Sequence, residues 1–208
     1  MSPPEFSLLI LAGGQSSRMG RDKAAIPFPG PHDPPIIHQI YRRLSGEAHE
    51  CLVAAPETYR LPARRVADHP AFAGPLAGLL GGLAACRTEL ALVVAADLPC
   101  PEPQLAAHLL ELAAADTAAD VVVPVTSRGP EAMFAVYRSR ALAQLEGAGR
   151  RGSARGPSMR EALALVQVHE VPEPEWRRLD PIGASFTDCD TPRELAVAVG
   201  LAAGRREE

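Results

Sequence analysis

At 208 residues, with 47% hydrophobic and 22% charged side chains, the chain has the make-up of one globular unit that needs no disulfide or metal staple. Its net charge of −4 and pI near 5.9 count against a general nucleic-acid binder or a partner for anionic membranes. No apolar run reaches the roughly 18 residues of a membrane span, and Met1-Ser2-Pro3-Pro4-Glu5 lacks a basic leader, so a cytoplasmic protein without a signal peptide is expected. Cys51, Cys86, Cys100 and Cys189 are scattered, with no C-x-x-C pair, and read as reduced thiols.

The first predicted element is Leu8-Leu9-Ile10-Leu11, a short apolar run of the kind that forms a buried strand. It breaks into Ala12-Gly13-Gly14-Gln15-Ser16-Ser17-Arg18-Met19-Gly20-Arg21-Asp22-Lys23. Glycines let a backbone turn sharply and approach a ligand, and successive N–H groups in such a loop make an anion site. Arg18, Arg21 and Lys23 add positive charge where phosphate oxygens would lie. The stretch reads as a nucleotide-phosphate loop at the carboxyl end of the first strand. It is not a P-loop, because five residues rather than four stand between Gly14 and Gly20 and Arg21 follows, and it lacks the G-x-G-x-x-G spacing of a dinucleotide fingerprint. The bland alternative is a Gly/Ser turn with solvated basic residues.

Pro27 to Pro35 is rich in Pro and Gly and reads as irregular. Ile36, Ile37, Ile40, Tyr41 and Leu44 recur at helical spacing. Cys51 to Ala55 is a second buried strand, and Arg64 to Ala67 a weaker one with Asp68 at its end. Gly74-Pro75 opens an apolar helix to about Cys86. Leu90 to Ala96 is the most apolar run and belongs in mid-sheet, with Asp97 as the first charge after it. Glu102 to Ala115 reads as a helix, Val121 to Val125 and Met133 to Tyr137 as strands, and Arg140 to Glu146 as a short helix. Gly147 to Pro157 reads as a mobile loop carrying Arg150, Arg151 and Arg155, residues suited to an acidic second substrate or to plain solvation.

Ser158-Met159-Arg160-Glu161 is a capping box that opens a helix. Leu165 to Val171 reads as a strand, Pro172 to Gly183 as irregular, and Phe186 to Asp190 as extended. Thr191-Pro192-Arg193-Glu194 is a second capping box before a final helix. This alternation predicts one domain over 1–208, an α/β protein with a three-layer, mostly parallel sheet. Ligands bind beyond the carboxyl ends of such strands. The first loop, Asp68, Asp97 and residues 186–190 are thus expected along one edge.

Asp97 is placed either to hold Mg²⁺, which binds through one or two carboxylates plus substrate phosphates, or to cap the segment behind it. Asp188 and Asp190 alternate in a stretch read as extended, which puts both side chains on one face about 7 Å apart. They suit a second hold on the metal or its waters, or a surface turn. No histidine stands as the base for a serine nucleophile.

Leu11-Ala12-Gly13-Gly14, Arg18-Met19-Gly20 and Asp22-Lys23 resemble the L-A-G-G-x-S-x-R-M-G-x-D-K signature of molybdenum cofactor guanylyltransferases, within the nucleotidyltransferase superfamily. Ala96-Asp97-Leu98-Pro99 resembles that family's metal-binding Asp, and Asp188-Cys189-Asp190-Thr191-Pro192-Arg193-Glu194 stands where the family has N-x-N-T-P-E. The resemblance implies a Rossmann-like nucleotidyltransferase fold. It implies transfer of GMP from GTP to molybdenum-bound molybdopterin, with Mg²⁺ as cofactor. It further implies Leu11, Ala12, Gly13, Gly14, Lys23, Asp68 and Asp97 as nucleotide contacts. Arg18, Lys23 and Asp97 would be catalytic, and Asp97, Asp188 and Asp190 metal ligands. Proteins that deliver or accept the cofactor are compatible with it, and neither nucleic acid nor membrane is expected. The nearest alternative, a cytidylyltransferase for the same pterin, resembles L-A-A-G at the loop start, and Gly13 favours the guanine form. Ala54, Ala55 and Pro56 stand where the family often has Asn, and Glu131-Ala132 where it has a His-Pro or Gln-Pro pair.

Overall fold

A computed structural model describes residues 4–13, 22–55, 59–147 and 158–204. The strands are β1 (Phe6–Leu11), β2 (Glu50–Ala54), β3 (Arg64–Val66), β4 (Leu90–Ala95), β5 (Val121–Thr126), β6 (Gly129–Pro130), β7 (Phe134–Arg138) and β8 (Val168–Val171). The helices are α1 (Ile36–Leu44), α2 (Pro75–Ala85), α3 (Pro103–Ala115), α4 (Ala141–Glu146), α5 (Met159–Leu163), α6 (Glu173–Trp176) and α7 (Pro192–Gly204). Among the described residues the strands form one sheet in the order β3-β2-β1-β4-β7-β5-β6, with β8 beside β5.

β1 runs parallel to β2 and β4, with α1 between β1 and β2 and α2 between β3 and β4, and β2 runs parallel to β3. β7 runs antiparallel to both β4 and β5, and β8 is parallel to β5. The reversed strand brings the start of β7, rather than its end, to the edge where β1 and β4 finish.

Alternation along β1 explains the layers. Leu8 and Ile10 pack with α1, α3 and the C-terminal helices, while Leu9 and Leu11 pack with α2, α4 and α5. Every residue of β1 and β4 is buried, as expected for strands covered on both faces. The two predicted capping boxes form. Ser158 Oγ accepts from Glu161 N at 3.2 Å and Ser158 N donates to Glu161 Oε2 at 2.7 Å. Thr191 and Glu194 repeat the exchange at 3.2 and 2.8 Å.

The structure corrects three expectations. Pro172 to Gly183 is not irregular throughout: Pro172 caps α6, whose prolines stand where a first turn needs no N–H donor. The turn buries Trp176, whose Nε1 donates to Val125 O at 2.9 Å. Leu165 to Gln167 is not strand, because α5 unwinds through Leu165 N to Ala162 O and Val166 N to Leu163 O before pairing starts at Val168. Phe186 is not extended, although Thr187 after it is, and no strand forms over 186–190. Ala184–Phe186 is a 3-10 turn held by the buried Asp180, which accepts from Ala184 N at 3.1 Å and Ser185 N at 2.8 Å, and irregular chain follows.

Candidate active site

The sheet's carboxyl edge gathers the chemistry. Leu11 pairs with Ala95, Ala96 N donates to Leu11 O at 2.9 Å, and Ala12 N donates to Ala54 O at 2.8 Å. Both chain ends leaving β1 and β4 are thereby fixed to backbone. A cavity of about 240 Å³ opens above them, lined by Leu11, Ala12, Gly13, Lys23, Asp97, Met133 and Asp190, among others.

Lys23 lines it. Its ammonium donates to Asp190 and stands 4.0 Å from Asp97 Oδ2. Burial works against that charge, but the Asp190 hydrogen bond and the charges of Asp190 and Asp97 outweigh it and lift the pKa above its ordinary 10.5. Asp97 follows β4 and is held from behind, since Cys189 N donates to its carbonyl at 3.0 Å. Burial raises the pKa of its carboxyl; Lys23 counteracts, while Asp188 and Asp190 push the same way as burial.

The paired aspartates part company. Asp190 takes Lys23, whereas Asp188 takes Arg128 Nη1 at 2.8 Å and does not line the cavity. Asp68 is exposed just behind the cavity, where a Cβ built on Gly13 would lie 3.7 Å from its Oδ2. Gly14 and Arg18 lie outside the described residues, as do Arg150, Arg151 and Arg155. Among the described residues no group of three His, Cys, Asp or Glu side chains is arranged as a metal cage.

Two participants escaped the sequence reading. Tyr59 Oη donates to Asp22 Oδ2 at 2.7 Å, and Asp22 Oδ1 accepts from Ala24 N at 3.0 Å, so this phenol steadies the residues on both sides of Lys23. Arg128, on the hairpin between β5 and β6, also reaches Phe186 O at 2.7 Å and Glu131 at 3.1 Å. Neither sits in a motif; both act through a partner far away in sequence.

A sheet edge carrying Gly13, a protonated lysine and two carboxylates fits an α/β protein that handles a phosphate chain. Residues 8–170 match the family model of the MobA-like NTP transferase domain. The chain belongs to that family. It is 36% identical over 91% of its length to a Chloroflexus aggregans protein named "Probable molybdenum cofactor guanylyltransferase", and covers 91% of that relative. It is 37% identical over 80% of its length to a molybdenum cofactor guanylyltransferase of Pseudomonas putida, covering 89% of it. The crystal structure of molybdopterin-guanine dinucleotide biosynthesis protein A from Archaeoglobus fulgidus superposes with a TM-score of 0.80 at 22% identity, over 95% of this chain and 99% of that one. A 2-C-methyl-D-erythritol 4-phosphate cytidylyltransferase from Thermus thermophilus shares the fold at a TM-score of 0.66 and 20% identity, over 96% and 99% of the two chains.

Proposed function

We propose that this protein transfers GMP from GTP to the terminal phosphate of molybdenum-bound molybdopterin and releases pyrophosphate. The observation that carries the reading is the Lys23–Asp97–Asp190 cluster in a cavity opened by Leu11, Ala12 and Gly13. Relatives named for this reaction, matching over most of the chain, support it.

The acceptor oxygen forms a bond to the α-phosphorus as the bond to the β-phosphate bridging oxygen breaks. A phosphate monoester has a second pKa near 6 and is largely ionised at neutral pH, so no strong base is required. Alignment and charge neutralisation then carry the rate. Lys23, kept protonated by its carboxylates, leaves Asp190 to bind a phosphate oxygen and offsets charge gathering on the departing pyrophosphate. Arg18 is assigned the same task from the loop. The backbone of Leu11 to Gly14 and the Asp68 carboxylate are assigned to the nucleoside.

Asp97 and Asp190 fit a divalent cation. They are hard oxygen donors lining one cavity, and Asp97 is crowded by like charge that a cation would relieve. Two carboxylates plus substrate phosphates are what Mg²⁺ needs, so the lack of a three-residue cage is no obstacle. Bound there, Mg²⁺ supplies charge neutralisation at the phosphates. Asp188 is assigned a role through water, its carboxylate being held by Arg128.

Pyrophosphate release measured across four nucleotides, with and without molybdopterin, tests the reading. Release with GTP and molybdopterin together is expected. Equal release with CTP would overturn the guanylyl assignment.

A further inference from the structure

The reaction cavity encloses about 240 Å³, and the reaction proposed above brings two substrates together. A second cavity of about 270 Å³ lies alongside, between the β5–β6 hairpin and α5. Ala132 lines it and the next residue, Met133, lines the first, so the two cavities reach neighbouring residues of the turn just ahead of β7. Arg128 joins them again: it lines the second cavity and bonds Asp188, whose charge is felt at Asp97.

The second cavity's chemistry is specific. Met159, Leu163 and Val168 give it apolar walls, and Arg128, Arg160 and Glu170 give it polar groups. Arg160 forms no ion pair among the described residues, and its guanidinium lies against the hairpin turn. Gly129 has φ +110°, which calls for glycine at the turn, and a Cβ built there would lie 2.8 Å from Arg160 Nη2, so the guanidinium sits directly over it. A planar guanidinium over apolar walls stacks on a flat ring, and guanidinium groups also bind phosphate in fork geometry. A carboxylate accepts the paired N–H donors of an amino-pyrimidinone edge.

We propose that this second cavity seats the acceptor: a phosphate-bearing pterin, its ring between Arg160 and the apolar wall, its amino-pyrimidinone edge on Glu170, and its phosphate beside Arg128, facing the reaction cavity. The assignment rests on the reaction proposed above and adds where its second substrate lies.

Calorimetry with a pterin monophosphate, and steady-state kinetics with GTP and molybdopterin, test it on the full chain. Arg160→Ala is expected to weaken pterin monophosphate binding and raise the KM for molybdopterin by about tenfold or more, leaving the KM for GTP within about twofold. Glu170→Gln, which keeps the side chain's shape, is expected to act in the same direction and supports the assignment even where Arg160→Ala fails to fold. Arg87→Ala removes one positive charge at an exposed site bonded to Glu50 and serves as the charge-matched control, with no change expected. Unchanged pterin affinity and molybdopterin KM in Glu170→Gln and in folded Arg160→Ala would overturn the assignment while the reaction stands. A wild-type protein that binds pterin monophosphate through Arg160 and Glu170 yet transfers GMP to no pterin would overturn the reaction and keep the cavity.

Discussion

At the scale of single residues, charge in the reaction cavity is balanced around Lys23. Lys23→Ala removes a fixed cation beside Asp97 and Asp190. It is expected to weaken GTP binding by about 1.5–3 kcal/mol, the usual worth of a hydrogen bond to a charged group, as read by calorimetry. Asp97 behaves oppositely in stability and in activity. Its folded pKa is raised above the ordinary 3.8, so its charged form opposes folding above that folded pKa, and the penalty disappears as pH falls through it. Asp97→Asn is therefore expected to raise the melting temperature at neutral pH while abolishing turnover. A lower melting temperature would contradict the crowding argument. Asp190→Asn should raise the Mg²⁺ needed for half-maximal rate, whereas Asp188→Asn should leave that requirement nearly unchanged, because Arg128 already holds Asp188 off the cavity. A Mg²⁺ titration of each variant separates the two. The alternation of Asp188 and Asp190 was legible in the sequence, but their division was not. It depends on Arg128, 60 residues away from Asp188, and on Asp180 winding the preceding turn.

At the scale of elements, α2 shows how tightly the nucleotide side is assembled. Gly82 rides against Leu9, and Gly81 against the backbone after β3: a Cβ at Gly81 would stand 2.0 Å from Ala67 O. A side chain can swing away from such a clash, but a carbonyl in a held strand end cannot. Gly81→Ala is therefore expected to push α2 off the sheet and cost about 1–3 kcal/mol, read as a lower thermal midpoint, with the neighbouring Asp68 displaced. Elements with a strong local signature were readable from sequence. α1 announced itself by the spacing of Ile36, Ile37, Ile40 and Leu44, and the two capping boxes marked the starts of α5 and α7. α6 was not readable, since a four-residue helix with two prolines around its start looks like coil until Trp176 finds its place under Val125. The direction of β7 was equally hidden. Its residues are buried on both faces, as parallel strands are, and only the hairpin through β6 reverses it.

At the scale of the molecule, acid stability is set far from the site. Burial raises the pKa of Glu50, but hydrogen bonds from Arg64, Arg87 N and Ser7 outweigh it and hold it below the ordinary 4.5. Asp120 is likewise lifted by burial and then lowered further by Arg140 and Gln167 N, ending below 3.8. Both stabilise the fold fully above those ordinary values and lose that contribution as pH falls through their lowered ones. Their contribution should thus be level down to about pH 4.5 and then be lost, so below that pH the melting temperature should fall less steeply in Glu50→Gln than in the wild type; scanning calorimetry from pH 6 to pH 3 checks this. The family model ends at residue 170, yet Cys189 N holds Asp97 O and Asp190 holds Lys23. This gives the enzyme a birth order. Lys23 leaves the ribosome early and waits through 167 further residues for the second of its two carboxylates, about 10–30 s at ordinary elongation rates. Until then the buried face that Trp176, Phe186 and Ala198 will cover is open as well. A nascent chain halted before Asp190 carries every residue of the glycine-rich loop and still has an unfinished active site.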